Sequence, residues 1–342
     1  MLDNWNPPKD WQVIKTIDAH TGGEPLRIFL NGLPELKGAT VLEKRRYFRD
    51  NLDYIRTGTM WEPRGHADMY GAVVTEPNSE EADIGLFFLH NEGYSTMCGH
   101  AIIAVTKVLL DTGWVNKDED QPRLLIDVPA GRIEAFAERE NDVVKQVSFL
   151  NVPSYLYERE QTIDISGIGP LTYDIAFGGA FYVFCRAEAL GVDLVPEQHD
   201  RLIGLGRKIK QTVMESIEIT HPSEPDLSFL YGTIIVGKPA EAAHHSRNVC
   251  IFADGQVDRS STGSGVSARA ALHFAKGELS LGESITIESI LGTTMSVEVH
   301  EKVKFEGYNA VIPKVSGTAS ITGRNEFYFD PTDPLQKGFI FR

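Results

Sequence analysis

The sequence predicts an α+β protein built from two similar halves, and three observations predict it. Strand-like and helix-like segments alternate along the 342 residues, with polar, Gly-rich turns between them. Two motifs, Cys98-Gly99-His100 and Thr262-Gly263-Ser264, each open an apolar helix-like run that stops at a glycine, and Cys98 to Gly113 and Thr262 to Gly277 span the same 15 residues. The spacing beyond each helix agrees too: 33 and 30 residues lead from the opening residue to Gly131 and Gly292, and 22 and 21 more to Pro153 and Pro313. Identity between the halves is low, so it is the joint pattern that favours a repeat.

Taken in order, residues 12–17 form a first strand, and Asp18-Ala19-His20-Thr21-Gly22-Gly23-Glu24-Pro25 is a polar turn before the strand 26–30. Residues 43–57 carry Lys44, Arg45 and Arg46 beside Phe48, Leu52 and Ile55, the pattern of an amphipathic helix whose basic face is solvated. A second polar loop, Glu62 to Gly71, feeds the strand 72–75, and the strand 83–90 delivers the chain to Cys98. From Ala101 to Leu110, Ile102, Val105 and Leu109 recur at helical spacing, and Gly113 suits a C′ position. Strands return at 124–128, 132–137 and 143–149. In the second half Gly178-Gly179 follows a strand as Gly22-Gly23 does, and the helix 266–275 ends at Gly277. Cys185 and Cys250 sit in apolar strands and read as inert core, while His244-His245 and Lys117 to Asp120 read as exposed loops.

Composition sets outer bounds. A net charge of −15 and a pI near 5.1 argue against nucleic acid or an anionic membrane as partner. Three scattered cysteines make no disulfide framework, which points to a reducing compartment. The start, Met1 to Pro8, has neither a basic segment nor an apolar one of the kind a secretory leader carries, and no later run approaches a membrane span. A soluble, cytoplasmic protein is expected.

If the halves face each other, two helix N-termini converge, and their free N–H groups make a site for a carboxylate. Cys98, at one of them, is a candidate base because a helix N-terminus favours thiolate. Beside the α-carbon of a small amino or imino acid it could remove a proton while the amides hold the carboxylate. The position facing it is Thr262, and a hydroxyl is no base at neutral pH, so proton abstraction is expected from one side only. Other readings are weaker. His90, Cys98 and His100 lack structural-zinc spacing, and Thr262-Gly263-Ser264-Gly265 lacks the ending of a phosphate loop. Asp258 can pair with Arg259 or Arg269 on the surface. His20, His66 and Asp68 read as structural turn residues.

Four motifs carry a resemblance: Met97-Cys98-Gly99-His100, Asp258 to Gly265, Pro63 to Met69 and Asp18 to Pro25 look like the proline racemase family. The tail resembles it as well, from Ala310-Val311-Ile312-Pro313 to Asp330-Pro331-Thr332-Asp333-Pro334. Racemases and hydroxyproline 2-epimerases of that family carry a second Cys where this chain has Thr262. Members with Thr there resemble trans-3-hydroxy-L-proline dehydratases, as does Gly178-Gly179-Ala180-Phe181-Tyr182. The resemblance implies a diaminopimelate-epimerase-like fold with the active site between two pseudo-symmetric domains, a homodimer, and no metal or organic cofactor. Expected domains are 1–152, completed by the tail 320–342, and 153–319.

The roles it implies are Cys98 as catalytic base, Gly99, His100, Gly263 and Ser264 as carboxylate holders through backbone N–H groups, Thr262 as a further substrate contact, and Asp258 at the ring nitrogen. The expected reaction is dehydration of trans-3-hydroxy-L-proline to 1-pyrroline-2-carboxylate. Alternatives are a racemase or epimerase that uses Thr262 with a water, and a non-catalytic imino-acid binding protein.

Overall fold

A computed structural model describes residues 5–341. Residues 1–4 of the stretch judged to lack leader features, and the last residue of the tail, lie outside the described residues. The chain opens with the hairpin β1 (Gln12–Thr21) and β2 (Glu24–Asn31), closed by Gly22 and Gly23 at φ 60 and 94. Two consecutive left-handed residues match the twist of a two-residue hairpin, and here glycine supplies both. β1 therefore runs through His20 to Thr21, four residues past its expected end.

Next come α1 (Val41–Asn51), α2 (Asp53–Met60), β3 (Tyr70–Thr75), β4 (Ile84–His90) and β5 (Gly93–Ser95). They lead to α3 (Gly99–Asp111), followed by β6 (Arg123–Val128), β7 (Gly131–Glu140), β8 (Val143–Leu150) and β9 (Ser154–Ile165). The order then recurs as β10 (Gly169–Phe177), β11 (Phe181–Arg186), α4 (Ala187–Leu190), α5 (His199–Ser216), β12 (Leu230–Gly237), β13 (Ser246–Phe252) and β14 (Gln256–Val257). It closes with α6 (Gly263–Lys276), β15 (Ser284–Glu288), β16 (Thr294–Phe305), β17 (Tyr308–Gly317) and β18 (Ala319–Phe329).

The pairings repeat as well as the order. In the first half β2 and β3 are parallel, β3–β4 and β4–β5 antiparallel, β4 and β6 parallel, and β6–β7–β8 antiparallel. In the second half β11–β12, β12–β13, β13–β14, β13–β15 and β15–β16–β17 follow the same sequence of orientations. β8 and β17 pair with each other and join the halves. β9 turns back to pair with β10, and β18 returns to pair with β1 from Thr21↔Ala319 to Gln12↔Phe329. The α+β class and its two-fold repeat are thus present in the strand ladder itself.

Each long central helix is enclosed by sheet. α3 touches β1, β2, β3, β7, β8, β17 and β18, and eleven of its 13 residues are buried. A helix that is buried all round explains why Gly99 to Leu110 is almost wholly apolar. α6 lies likewise against β9, β10, β11, β16 and β17. It ends where expected, at Gly277 in the left-handed conformation with φ 74.

Three expectations are corrected. The helix expected over 43–57 is two helices, because Leu52, with φ −127, turns its side chain into a core shared with Phe48 and Ile55. Its start is set by a capping box, Thr40 with Glu43. The basic face is not solvated: Lys44 and Arg45 are buried, Lys44 donating to the Glu76 carbonyl and Arg45 to the Asp226 carboxylate at 2.9 Å. Arg46 donates to the same carboxylate, so α1 is tied across to the second half. Finally, Pro153 follows β8 whereas Pro313 lies inside β17 opposite Val299. The matching interval to those prolines is coincidental, since the β16–β17 hairpin is longer than β7–β8.

Candidate active site

The N-termini of α3 and α6 abut. A Cβ built on Gly99 would stand 2.5 Å from Gly263 Cα, and one on Gly263 would stand 2.5 Å from Gly99 Cα. Glycine at both positions is what allows the helices to meet head to head. The N-cap residues are Cys98 and Thr262. Around this junction lies a small, closely walled cavity, lined by Cys98, Gly99, His100, Asp258, Thr262, Gly263 and Ser264. All seven residues singled out in the sequence therefore share one wall system.

Sequence reasoning missed the rest of the lining: Tyr70, Met97, Tyr182, Tyr231, Cys250 and Phe252. Tyr231 stacks on Phe252 with ring centroids 5.4 Å apart, and the Tyr182 hydroxyl meets Ser264 Oγ at 2.7 Å. These residues give an apolar, aromatic box closed by hydroxyls. Cys250, read as inert core, is buried but borders the cavity. Its thiol is pushed up by burial and then by the Asp258 charge. No sequence signal distinguished it from Cys185, because both sit in apolar strands.

The electrostatics centre on two buried carboxyls. Asp258, 5% exposed, accepts from Ser260 N at 2.7 Å, and burial raises it from its ordinary 3.8 to about 6. It pairs with neither Arg259 nor Arg269. Arg259 instead binds Asp68 at 2.7 Å, and Arg269 binds Ser246 and Asn248. Glu24, also missed, is fully buried. One oxygen accepts from Arg259 N at 2.6 Å while the other has no hydrogen-bond partner, and burial followed by the Asp258 charge pushes its carboxyl well up. Its only prior signal was its place in the Asp18 to Pro25 motif. His20, in that motif, accepts from Gly23 N as a turn residue should. His244 is not in a free loop, since its Nδ1 lies 2.9 Å from the buried carboxylate of Glu288.

Cys98 Sγ lies 3.1 Å from His100 Nδ1. The thiol is pushed well above its ordinary range, first by burial, while the Ala101 N–H and the Tyr70 hydroxyl draw it down and the charges of Asp258 and Glu24 draw it up. The expectation of a ready thiolate is therefore corrected for the ligand-free site, where desolvation outweighs the helix terminus. Burial also takes the His100 imidazole down to about 3, while its hydrogen bond to the Pro25 carbonyl opposes this. His100 is neutral and its ring faces the sulfur, a contact that the reading of it as a backbone donor left out.

The two N-caps differ in conformation. Cys98 is extended, at φ −146 and ψ 107, whereas Thr262 is left-handed, at φ 68 and ψ 92. Thr262 Oγ1 is buried with no full hydrogen bond, though it is near enough to Asp258 and Cys250 to draw both acids down. Among the described residues, no group of three or more His, Cys, Asp or Glu is arranged to hold a metal ion, and no helix is long and apolar enough to cross a membrane.

Comparison with known proteins agrees with this geometry. A family model described as proline racemase matches residues 16–340. A trans-3-hydroxy-L-proline dehydratase of Colwellia psychrerythraea is 49% identical over 344 residues, covering 100% of this chain and 97% of that protein. A proline racemase of Clostridioides difficile is 42% identical over 329 residues, covering 96% and 98%. Among solved structures, a hydroxyproline epimerase from Agrobacterium vitis with bound trans-4-OH-L-proline superposes with a TM-score of 0.90 at 26% identity, covering 96% of each chain. On its sequence, its strand ladder and the residues gathered at its cleft, the chain belongs to the proline racemase family.

Proposed function

We propose that this protein is a hydro-lyase that converts trans-3-hydroxy-L-proline to 1-pyrroline-2-carboxylate, with Cys98 as its single base. The observation that carries the reading is that equivalent helix N-caps at one cavity hold a thiol and a hydroxyl, so one side of the ligand meets no base. Relatives named as dehydratases, at 49% and 45% identity, support it. The substrate carboxylate is held by the N-terminal amides of α3 and α6, including those of Gly99, His100, Gly263 and Ser264. Asp258 holds the cationic ring nitrogen. That cation offsets the carboxylate field which, in the empty site, helps to keep the proton on Cys98.

In the trans isomer the α-hydrogen and the 3-hydroxyl share a ring face. Cys98 thiolate takes the α-proton, the C–H pair becomes the C2–C3 double bond, the C3–O bond breaks, and the thiol returns its proton to the leaving hydroxyl as water. The enamine then tautomerises to the imine. Cys98→Ser should lower this rate by at least about 10³-fold; a variant that kept most of it would refute the role.

A 42%-identical relative named proline racemase supports a second reading, inversion with water as the other acid. L-proline in heavy water separates the two: an isomerase yields D-proline, whereas a one-base enzyme only exchanges the α-proton. The proposal carries further family expectations: two domains, 1–152 with 320–342 and 153–319, a homodimer, cytoplasmic residence, and no cofactor. Trp114 and Ile321, both exposed beside one apolar depression, support the dimer.

A further inference from the structure

We propose that Arg269, acting through Asn248, is a positioning residue that holds Thr262 in its left-handed backbone conformation and so fixes the Thr262 side of the cavity. The inference rests on the proposed function in one respect: this cavity takes the imino acid. Left-handed φ is unfavourable for a β-branched residue and persists only where the surroundings over-determine it. The surroundings here are polar ties. Ser260 Oγ accepts from Thr262 N at 3.1 Å, and Asn248 Nδ2 donates to the Ser261 carbonyl at 3.2 Å, on the peptide that leads into Thr262.

What orients the Asn248 amide is Arg269. A guanidinium only donates, so the amide oxygen must face it and the NH₂ must face Ser261. Arg269 Nη1 donates to Asn248 Oδ1 at 3.0 Å and to Ser246 Oγ at 2.5 Å, and Nη2 donates to His273 Nε2 at 2.9 Å. Without the guanidinium, the amide could flip and set oxygen against oxygen at Ser261. Arg269 is 3% exposed and its direct acceptors are uncharged; the Glu278 carboxylate, whose charge favours the cation, reaches it only through the His273 ring, at 2.6 Å from His273 Nδ1. A buried cation with no carboxylate in direct contact is a poor device for stability.

The repeat in the chain supplies an internal control. The parallel pairing aligns Ser246↔Ile287 in the second half with Ile84↔Ile126 in the first, so Ser246 and Asn248 correspond to Ile84 and Leu86. Arg269 stands seven residues into its helix from Thr262, as Val105 does from Cys98. Ile84, Leu86 and Val105 are all buried in the core, and their N-cap, Cys98, is extended. The fold therefore builds this corner from three apolar side chains when the N-cap is relaxed. The polar trio occurs in the half whose N-cap is strained.

The test combines Asn248→Leu, Arg269→Met and the repeat-swap variant Ser246→Ile/Asn248→Leu/Arg269→Val, each with a 13C-labelled Thr262 methyl. The expected result is a folded protein in which the Thr262 methyl resonance has moved in the absence of ligand. Its kcat/KM for trans-3-hydroxy-L-proline should fall by about 10–100-fold, the size expected of a misplaced site. Arg269→Ala should recover both signals in millimolar guanidinium. An unmoved resonance in folded variants overturns the proposal, as does a loss of activity that follows the loss of melting temperature. If Arg269→Met does not fold, Arg269→Lys, which keeps the charge without the fork, decides by the same resonance. If wild type dehydrates nothing, the proposed function fails, and the resonance still decides the positioning.

Discussion

At Asp258 burial and ionisation oppose each other. A carboxyl raised from 3.8 to about 6 gives the folded state a preference for the proton. Its contribution to stability is complete below about pH 4 and is lost as pH rises through about 6, where the ionised buried group costs about 3 kcal/mol. Binding a cationic ring nitrogen needs the opposite state. Asp258→Asn should therefore melt higher than wild type at pH 8 and equally near pH 4, while kcat/KM, which in wild type should rise with pH through about 6, falls at every pH. Paired melting curves and a pH–rate profile check both signs; a variant less stable than wild type at pH 8 would show that the ionised group is not the burden argued here. At this scale the sequence announced Cys98 and Thr262 through their neighbours. Glu24 and Cys250 could not be singled out, because their significance is a matter of depth and of proximity to Asp258 across the fold.

Helix termini are where the elements make function. α3 and α6 meet at glycines, and their positive ends face a common cavity. Gly99→Ala or Gly263→Ala would set a methyl 2.5 Å from backbone, which no rotamer can relieve. Each should lower stability by about 1–3 kcal/mol and kcat by more than tenfold, read from denaturant melts and steady-state rates. A variant with wild-type values would mean that the helices do not touch. Both helices and their glycine stops were legible, because apolar periodicity and left-handed glycines are local signals. The break at Leu52 was not, because it depends on a core packed across the fold, and neither was the burial of Lys44 and Arg45, which depends on Glu76 and Asp226, partners that local pattern cannot bring near.

For the whole molecule, matched intervals along the chain foretold two similar halves, and the strand ladder repeats orientation by orientation. What sequence could not show is how each half is finished. β9 pairs with β10 across a short turn, but its counterpart β18 pairs with β1, a strand about 300 residues earlier, and no spacing rule marks that return. That return makes the junction of β18 and β1 one of two equivalent seams in the repeat. Phe329 lies opposite Gln12, and the turn between β9 and β10, where Ile165 faces Gly169, is the same place half a repeat away. A chain circularly permuted to begin at Gly167, with a flexible linker joining its last residue to its first, should fold with wild-type circular dichroism and retain turnover within about tenfold, since exposed turns tolerate such openings. Seen so, the strand ladder is closer to a ring with two like seams than to a line with a beginning.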